Sequence, residues 1–166
     1  MARTYAAPGT MLRTAWRRLS PWPGGRWLFS RFLGFVAPYS GSIGATVTVL
    51  EPGHARVELP DRRRIRNHLA SVHAVALVNL AEMATGLAML TGLPDGVRGI
   101  VAGLSITYLK KARGPLVAEC RCDVPQVTAD AEFEARVDIV DSGGHAVARA
   151  TARWRLGPVP AAAGAA

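Results

Sequence analysis

Residues 73–90 read HAVALVNLAEMATGLAML, eighteen positions of which only Asn79 and Glu82 are strongly polar inside the run. A helix closed by Gly92 and Pro94 is the expectation. The run approaches membrane-spanning length, but a charge at the centre of a bilayer costs about 2.5–3.5 kcal/mol even on the lenient scale. The segment therefore reads as a helix buried within a protein, with no integral membrane segment. Being apolar on nearly every side, it needs cover all round.

Working outward from this helix, the period changes to two. Upstream, Ala45, Val47 and Val49 alternate with threonines, and Glu51-Pro52-Gly53 turns the chain into Ala55, Val57 and Leu59, a first hairpin. Downstream, strands are expected over 99–109, 116–124, 131–140 and 145–156. In the last pair Phe133, Ala135, Val137 and Ile139 face one way and Glu132, Glu134, Arg136 and Asp138 the other, and Asp141-Ser142-Gly143-Gly144 supplies the turn. Strands linked by short turns argue for an antiparallel sheet. The fold class is α+β: a curved antiparallel sheet of about six strands wrapped around one long apolar helix, the hotdog architecture.

Two short helices, 10–19 and 26–36, split by Pro21-Trp22-Pro23-Gly24-Gly25 and stopped by Pro38, precede this unit. The first carries Arg13, Arg17 and Arg18 near Trp16 and Leu19 and is expected to pack on the domain rather than on a membrane surface. The organisation is an N-terminal helical segment over 1–40, a hotdog domain over 41–156 and a Pro- and Ala-rich flexible tail over 157–166.

With 166 residues, 49% of them hydrophobic and 19% charged, the chain can bury a core and is not a disordered tail. Cys120 and Cys122 are the only cysteines, too few for a disulfide framework or a four-cysteine zinc site, which points to a reducing, cytoplasmic setting and to no metal. The net charge of +8, from 18 Arg and 2 Lys against 12 acids, favours a polyanionic partner: nucleic acid, an anionic membrane surface or a phosphate-bearing molecule. The arginines are scattered, with no recognition helix or aromatic stacking strand, so nucleic acid is not expected as a partner.

Glu82 is the first residue that requires an explanation, because an ionised carboxylate among Leu80, Ala81, Met83 and Ala84 is costly without a polar cleft or a partner. Asn79, three residues earlier, shares its face and either lines that cleft or caps a neighbouring backbone group. Immediately before the helix, Asn67-His68-Leu69-Ala70-Ser71-Val72-His73-Ala74 places Ser71 as an N-cap. Free amides of His73 or Ala74 could hold the oxyanion of an attacked carbonyl, with Asn67 as a side-chain donor. Residues 73 and 82 lie on opposite sides of the helix and about 13 Å apart along it, so a shared reaction calls for a twofold dimer that pairs the helix start of one subunit with the carboxylate of the other. At the exit of the following strand, Lys110, Lys111 and Arg113 form a basic cluster suited to phosphates.

These motifs resemble the PaaI-like branch of the hotdog acyl-CoA thioesterases, over most of the chain from about Trp16 to Leu156. The pattern is an Asn six residues before a His-Gly-Gly, an acid nine after that His, and Tyr-Leu-x-x-Ala-x-x-Gly in the next strand. Here it is carried by Asn67, His73, Glu82 and Tyr108-Leu109-Lys110-Lys111-Ala112-Arg113-Gly114. Ala74-Val75 stands in place of Gly-Gly, Glu82 in place of the commoner Asp, and Ile100-Val101-Ala102 where some relatives have a Ser or Thr. The resemblance implies that Glu82 acts as general base or nucleophile on a thioester, with Asn67 and the amide around Ala74 polarising the carbonyl, at the interface of a homodimer or a dimer of dimers.

The expected substrate is an acyl-CoA, with coenzyme A entering as part of the substrate and no separate cofactor. Lys110, Lys111 and Arg113 would hold its phosphates, with Asn79 and His68 beside the substrate. Two alternatives remain: a non-catalytic acyl-CoA binder, and a hotdog hydroxyacyl dehydratase, because His68 precedes Glu82 by fourteen residues, a spacing such enzymes also use. The missing Pro-Gly before the helix argues against the second.

Overall fold

The computed structural model describes residues 8–159. Three helices come first: α1 (Pro8–Leu19), α2 (Gly25–Val36) and the single turn α3 (Pro38–Gly41). The hairpin β1 (Thr46–Glu51) and β2 (His54–Leu59), the core helix α4 (Ala74–Gly92) and the strands β3 (Val97–Tyr108), β4 (Leu116–Arg121), β5 (Ala131–Asp141) and β6 (Ala146–Pro158) follow. The six strands form one antiparallel sheet in the order β1-β2-β4-β5-β6-β3. The chain is α+β with a hotdog fold, as the sequence pattern predicts.

Local chemistry sets the turns. Gly53 takes φ 73° between Glu51 and His54, which pair across the first hairpin. In the β5–β6 turn, Asp141 Oδ1 accepts from the amides of Gly143 and His145, each at 3.0 Å. Irregularities between Val47 and Val49 and between Val101 and Gly103 add twist to β1 and β3. The resulting curved face receives α4, whose Leu80, Ala81, Ala84, Ala88 and Met89 are fully buried. Its buried hydroxyls are satisfied at home: Thr85 donates to Ala81 O at 2.8 Å, and Thr91 to Leu87 O and Glu51 O.

The structure departs from the sequence reading in several places. The sheet does not enclose α4 alone; α1 and α3 cover the remaining face, and Leu12, Phe29 and Leu33 join the same core. The N-cap of α4 is His73 rather than Ser71, its Nδ1 accepting from the Val75 amide at 3.1 Å. Ser71 instead donates to Asn67 Oδ1. β4 ends at Arg121, and β6 runs to Pro158, two residues into the expected tail; the rest of that tail, 160–166, lies outside the described residues.

Candidate active site

The loop before α4 is built by Asn67. Its Oδ1 accepts from Leu69 N at 2.9 Å, Ser71 Oγ at 3.1 Å and Ser71 N at 3.3 Å, while its own amide donates to Ser71 O at 2.8 Å. This closed turn holds Ala70 at φ 53°, a left-handed conformation costly for a residue with a Cβ. With the oxygen engaged, the Asn67 Nδ2 is left as a donor.

The same loop sorts the amides at the helix start. His73 N donates to Ile65 O at 2.8 Å, Val75 N to His73 Nδ1, and Ala76 N and Leu77 N to His73 O. The Ala74 amide has no acceptor among the described residues. Of the two amides singled out by the sequence, the His73 amide is therefore engaged and the Ala74 amide is available, at the end of the helix where the backbone dipoles favour negative charge. His68 is exposed on the loop, and the exposed His73 ring serves as the cap.

The segment after β3 comes alongside. Val72 N donates to Ala112 O at 2.8 Å, Arg113 approaches Leu69 O at 3.5 Å, and the Tyr108 hydroxyl lies 3.4 Å from Ala74 O. Asp61 pins this arrangement, accepting from Gly114 N at 2.9 Å and pairing with Arg66 at 2.7 Å, a hydrogen bond that holds its carboxyl below the usual carboxylate range. Lys111 and Arg113 are exposed. Lys110 is paired with Asp141 at 2.7 Å, and its hydrogen bond, with those from the His145 and Gly143 amides, lowers Asp141 to about 2. Lys110 thus braces the β5–β6 turn, and the basic cluster facing solvent reduces to Lys111 and Arg113.

Glu82 lies elsewhere. It is half-buried on the face of α4 that meets the N-terminal helices, at the floor of a cavity of about 180 Å³ that is lined mostly by apolar groups of α1, α2 and α3. Burial raises its pKa above the ordinary glutamate value, and a hydrogen bond with the Ser40 side chain opposes part of that rise. Asn79 is buried, donates from Nδ2 to Tyr39 O at 3.0 Å, and keeps an Oδ1 without a partner. Asn79 therefore does cap a backbone group, that of Tyr39, the residue before Ser40.

Asn67, His68, His73, Ala74, Lys111 and Arg113 thus converge at the start of α4, whereas Glu82 and Asn79 sit further along it. Eight residues separate Ala74 from Glu82, about 12 Å along the axis. Sequence reading missed Ser40 and Tyr39, because α3 is a single turn with no periodic signal. The Pro38 stop is its only local trace.

The six-stranded antiparallel sheet and the core helix it wraps define the hotdog fold class. Within it, residues 25–156 match the family described as Domain of unknown function (DUF4442), and the chain belongs to that family. A structural-genomics crystal structure is 31% identical, with a TM-score of 0.78 over 90% of this chain and 99% of the other. A Pseudomonas aeruginosa protein, described as of unknown function and a probable thioesterase, is 28% identical with a TM-score of 0.70, covering 81% of this chain and 93% of its own. A mutant of the phenylacetic acid degradation protein PaaI from Thermus thermophilus shares the fold at 22% identity and a TM-score of 0.60, over 71% of this chain and 97% of the other. No curated protein matches the chain.

Proposed function

We propose that this protein hydrolyses acyl-CoA thioesters, with Glu82 as the catalytic carboxylate. The observation that carries the reading is a lone acid held in an apolar cavity, where burial raises its pKa above the ordinary glutamate value, the direction that strengthens a carboxylate as a base. The Pseudomonas relative described as a probable thioesterase supports the same chemistry.

As general base, Glu82 takes a proton from water while the water oxygen bonds to the thioester carbon. The tetrahedral intermediate then breaks its C–S bond, and the thiolate takes up the proton to leave as coenzyme A thiol, with the free acid as the second product. As nucleophile, the carboxylate would attack the thioester carbon, the C–S bond breaking to release the coenzyme A thiolate and leave a mixed anhydride. Water then cleaves the anhydride to the free acid, regenerating the carboxylate and supplying the proton the thiolate takes up. In either route Asn67 Nδ2 and the Ala74 amide polarise the carbonyl, while Lys111 and Arg113 meet the phosphates.

The separation along α4 makes the site a property of two chains. Supporting a dimer, β3 is an edge strand of twelve residues with Ile100 67% exposed, and Val75, Tyr108 and Leu109 stand about half exposed near the start of α4. A cytoplasmic setting belongs to the same proposal, with Cys120 and Cys122 both free. The direct test is thiol release over a panel of acyl-CoAs by the native protein and Glu82→Gln. Turnover by the native protein that is lost in the variant supports the proposal; equal turnover removes Glu82 from the mechanism.

A further inference from the structure

The cavity above Glu82 is not made by the sheet-and-helix unit alone. Its walls come from two sources: Met83, Gly86 and Leu87 on α4, and Met11, Leu33 and Val36 on the N-terminal helices. Apart from Glu82 and Ser40 the lining side chains are apolar, so the cavity suits a hydrocarbon and not a nucleotide or a sugar. Glu82 and Ser40 are hydrogen-bonded to each other, which gathers the polarity at one spot. The roof is closely fitted: a Cβ added at Gly41 would collide with Gly34 Cα, so α2 and α3 touch backbone to backbone. Gly86 lines the floor without a side chain, and a Cβ there would meet Glu82 Oε1 at 3.5 Å and the Trp154 ring at 3.8 Å, both ordinary contact distances.

The volume limits the occupant. At about 180 Å³ the cavity is slightly larger than an engineered apolar cavity of about 150 Å³ that takes up benzene. We infer that the N-terminal helices form the acyl-binding pocket, sized for an acyl group of about six carbons or one bearing a single phenyl ring, with its carbonyl at Glu82. This rests on the thioesterase reading and names the substrate class of that site. It makes α1–α3 the chain-length gauge of the protein. Val36, 51% exposed, and Met11, 43% exposed, stand at the rim, where substitution perturbs the core least.

The test compares straight-chain acyl-CoAs from two to twelve carbons in the native protein, Val36→Trp and Met11→Ala, with folding of each checked by thermal melting. In the native protein kcat/KM should rise up to about fourfold per added methylene as far as six carbons, and then fall. Val36→Trp should lower the hexanoyl-to-acetyl ratio at least tenfold, and Met11→Ala should move the optimum to a longer chain. A length profile identical in all three proteins, with thioesters still cleaved, overturns the pocket and leaves the thioesterase reading standing. In parallel, S-alkyl thioethers of coenzyme A, which cannot be hydrolysed, are titrated by calorimetry. Should no thioester be cleaved, affinity that climbs with alkyl length in the native protein and not in Val36→Trp keeps the pocket and removes hydrolysis. Affinity indifferent to alkyl length overturns the pocket as well.

Discussion

Asn79 on the core helix donates a 3.0 Å hydrogen bond to the carbonyl of Tyr39, and the next residue of that single turn, Ser40, bonds the Glu82 carboxylate. Two consecutive residues of α3 thus hold the two polar side chains on the outer face of α4. The acid is positioned by a segment about forty residues upstream, and α1 and α2 join that segment in covering it.

A raised pKa in the folded state means that Glu82 binds its proton more tightly folded than unfolded. Its favourable contribution to stability is complete below the ordinary glutamate range and is lost as pH rises through the elevated folded value. Glu82→Gln should therefore melt higher than the native protein at pH 8, with the gap closing toward pH 4. The same variant should lose about 10²–10⁴-fold in kcat. The native kcat/KM should rise with pH along a carboxylate titration displaced above the ordinary range.

Asn67 combines two roles that substitution can separate. Asn67→Asp keeps the oxygen that closes the turn and loses the Nδ2 donor, so its melting temperature should stay near native while kcat falls about 10²–10³-fold. Asn67→Ala removes both and should also lower the melting temperature, since the amides of Leu69 and Ser71 lose their acceptor. Equal activity in Asn67→Asp and native protein would assign Asn67 to loop structure alone.

The basic cluster should divide into two behaviours. Lys111→Met and Arg113→Met should each raise KM for CoA thioesters about fivefold at low salt, an effect that shrinks as salt screens the phosphates. Lys110→Met should leave KM near native and lower stability at neutral pH. Its partner Asp141, held near pH 2, contributes stability above the ordinary aspartate range that is lost as pH falls toward about 2, so the penalty of the variant should vanish in acid.

If each site takes Glu82 from one chain and Asn67 with Ala74 from the other, two inactive variants should rescue one another. Glu82→Gln and Asn67→Ala, unfolded together and refolded at equal amounts, should regain about a quarter of native activity, since half of the dimers are mixed and each mixed dimer holds one intact site. Equilibrium sedimentation of native protein and of an Ile100→Asp, Tyr108→Asp double variant checks the interface. The double variant should sediment as a monomer.

Much of the fold is legible in the chain because its signals are local. Alternation in 131–139 marks β5 residue by residue, and the uninterrupted apolar run of α4 announces an enclosed helix. What encloses it is not local. The Ser40 and Tyr39 contacts cross some forty residues and depend on the bend between α2 and α3, which no periodicity records. The cap shows a related limit: Ser is a favoured N-cap, but Asn67 draws Ser71 into its own turn and leaves the position to His73. Glu82 stands out as chemically costly from sequence alone, whereas the side from which it is covered does not.

Because the roof over Glu82 is one continuous N-terminal stretch, tied to the sheet by packing, a short connection and the hydrogen bond from Val47 N to Ser30 Oγ, exchange of that stretch would retune what enters while leaving strand register untouched. Homologous swaps of residues 8–37, which keep Tyr39 and Ser40 in place, offer a modular route to altered selectivity on a constant catalytic chassis.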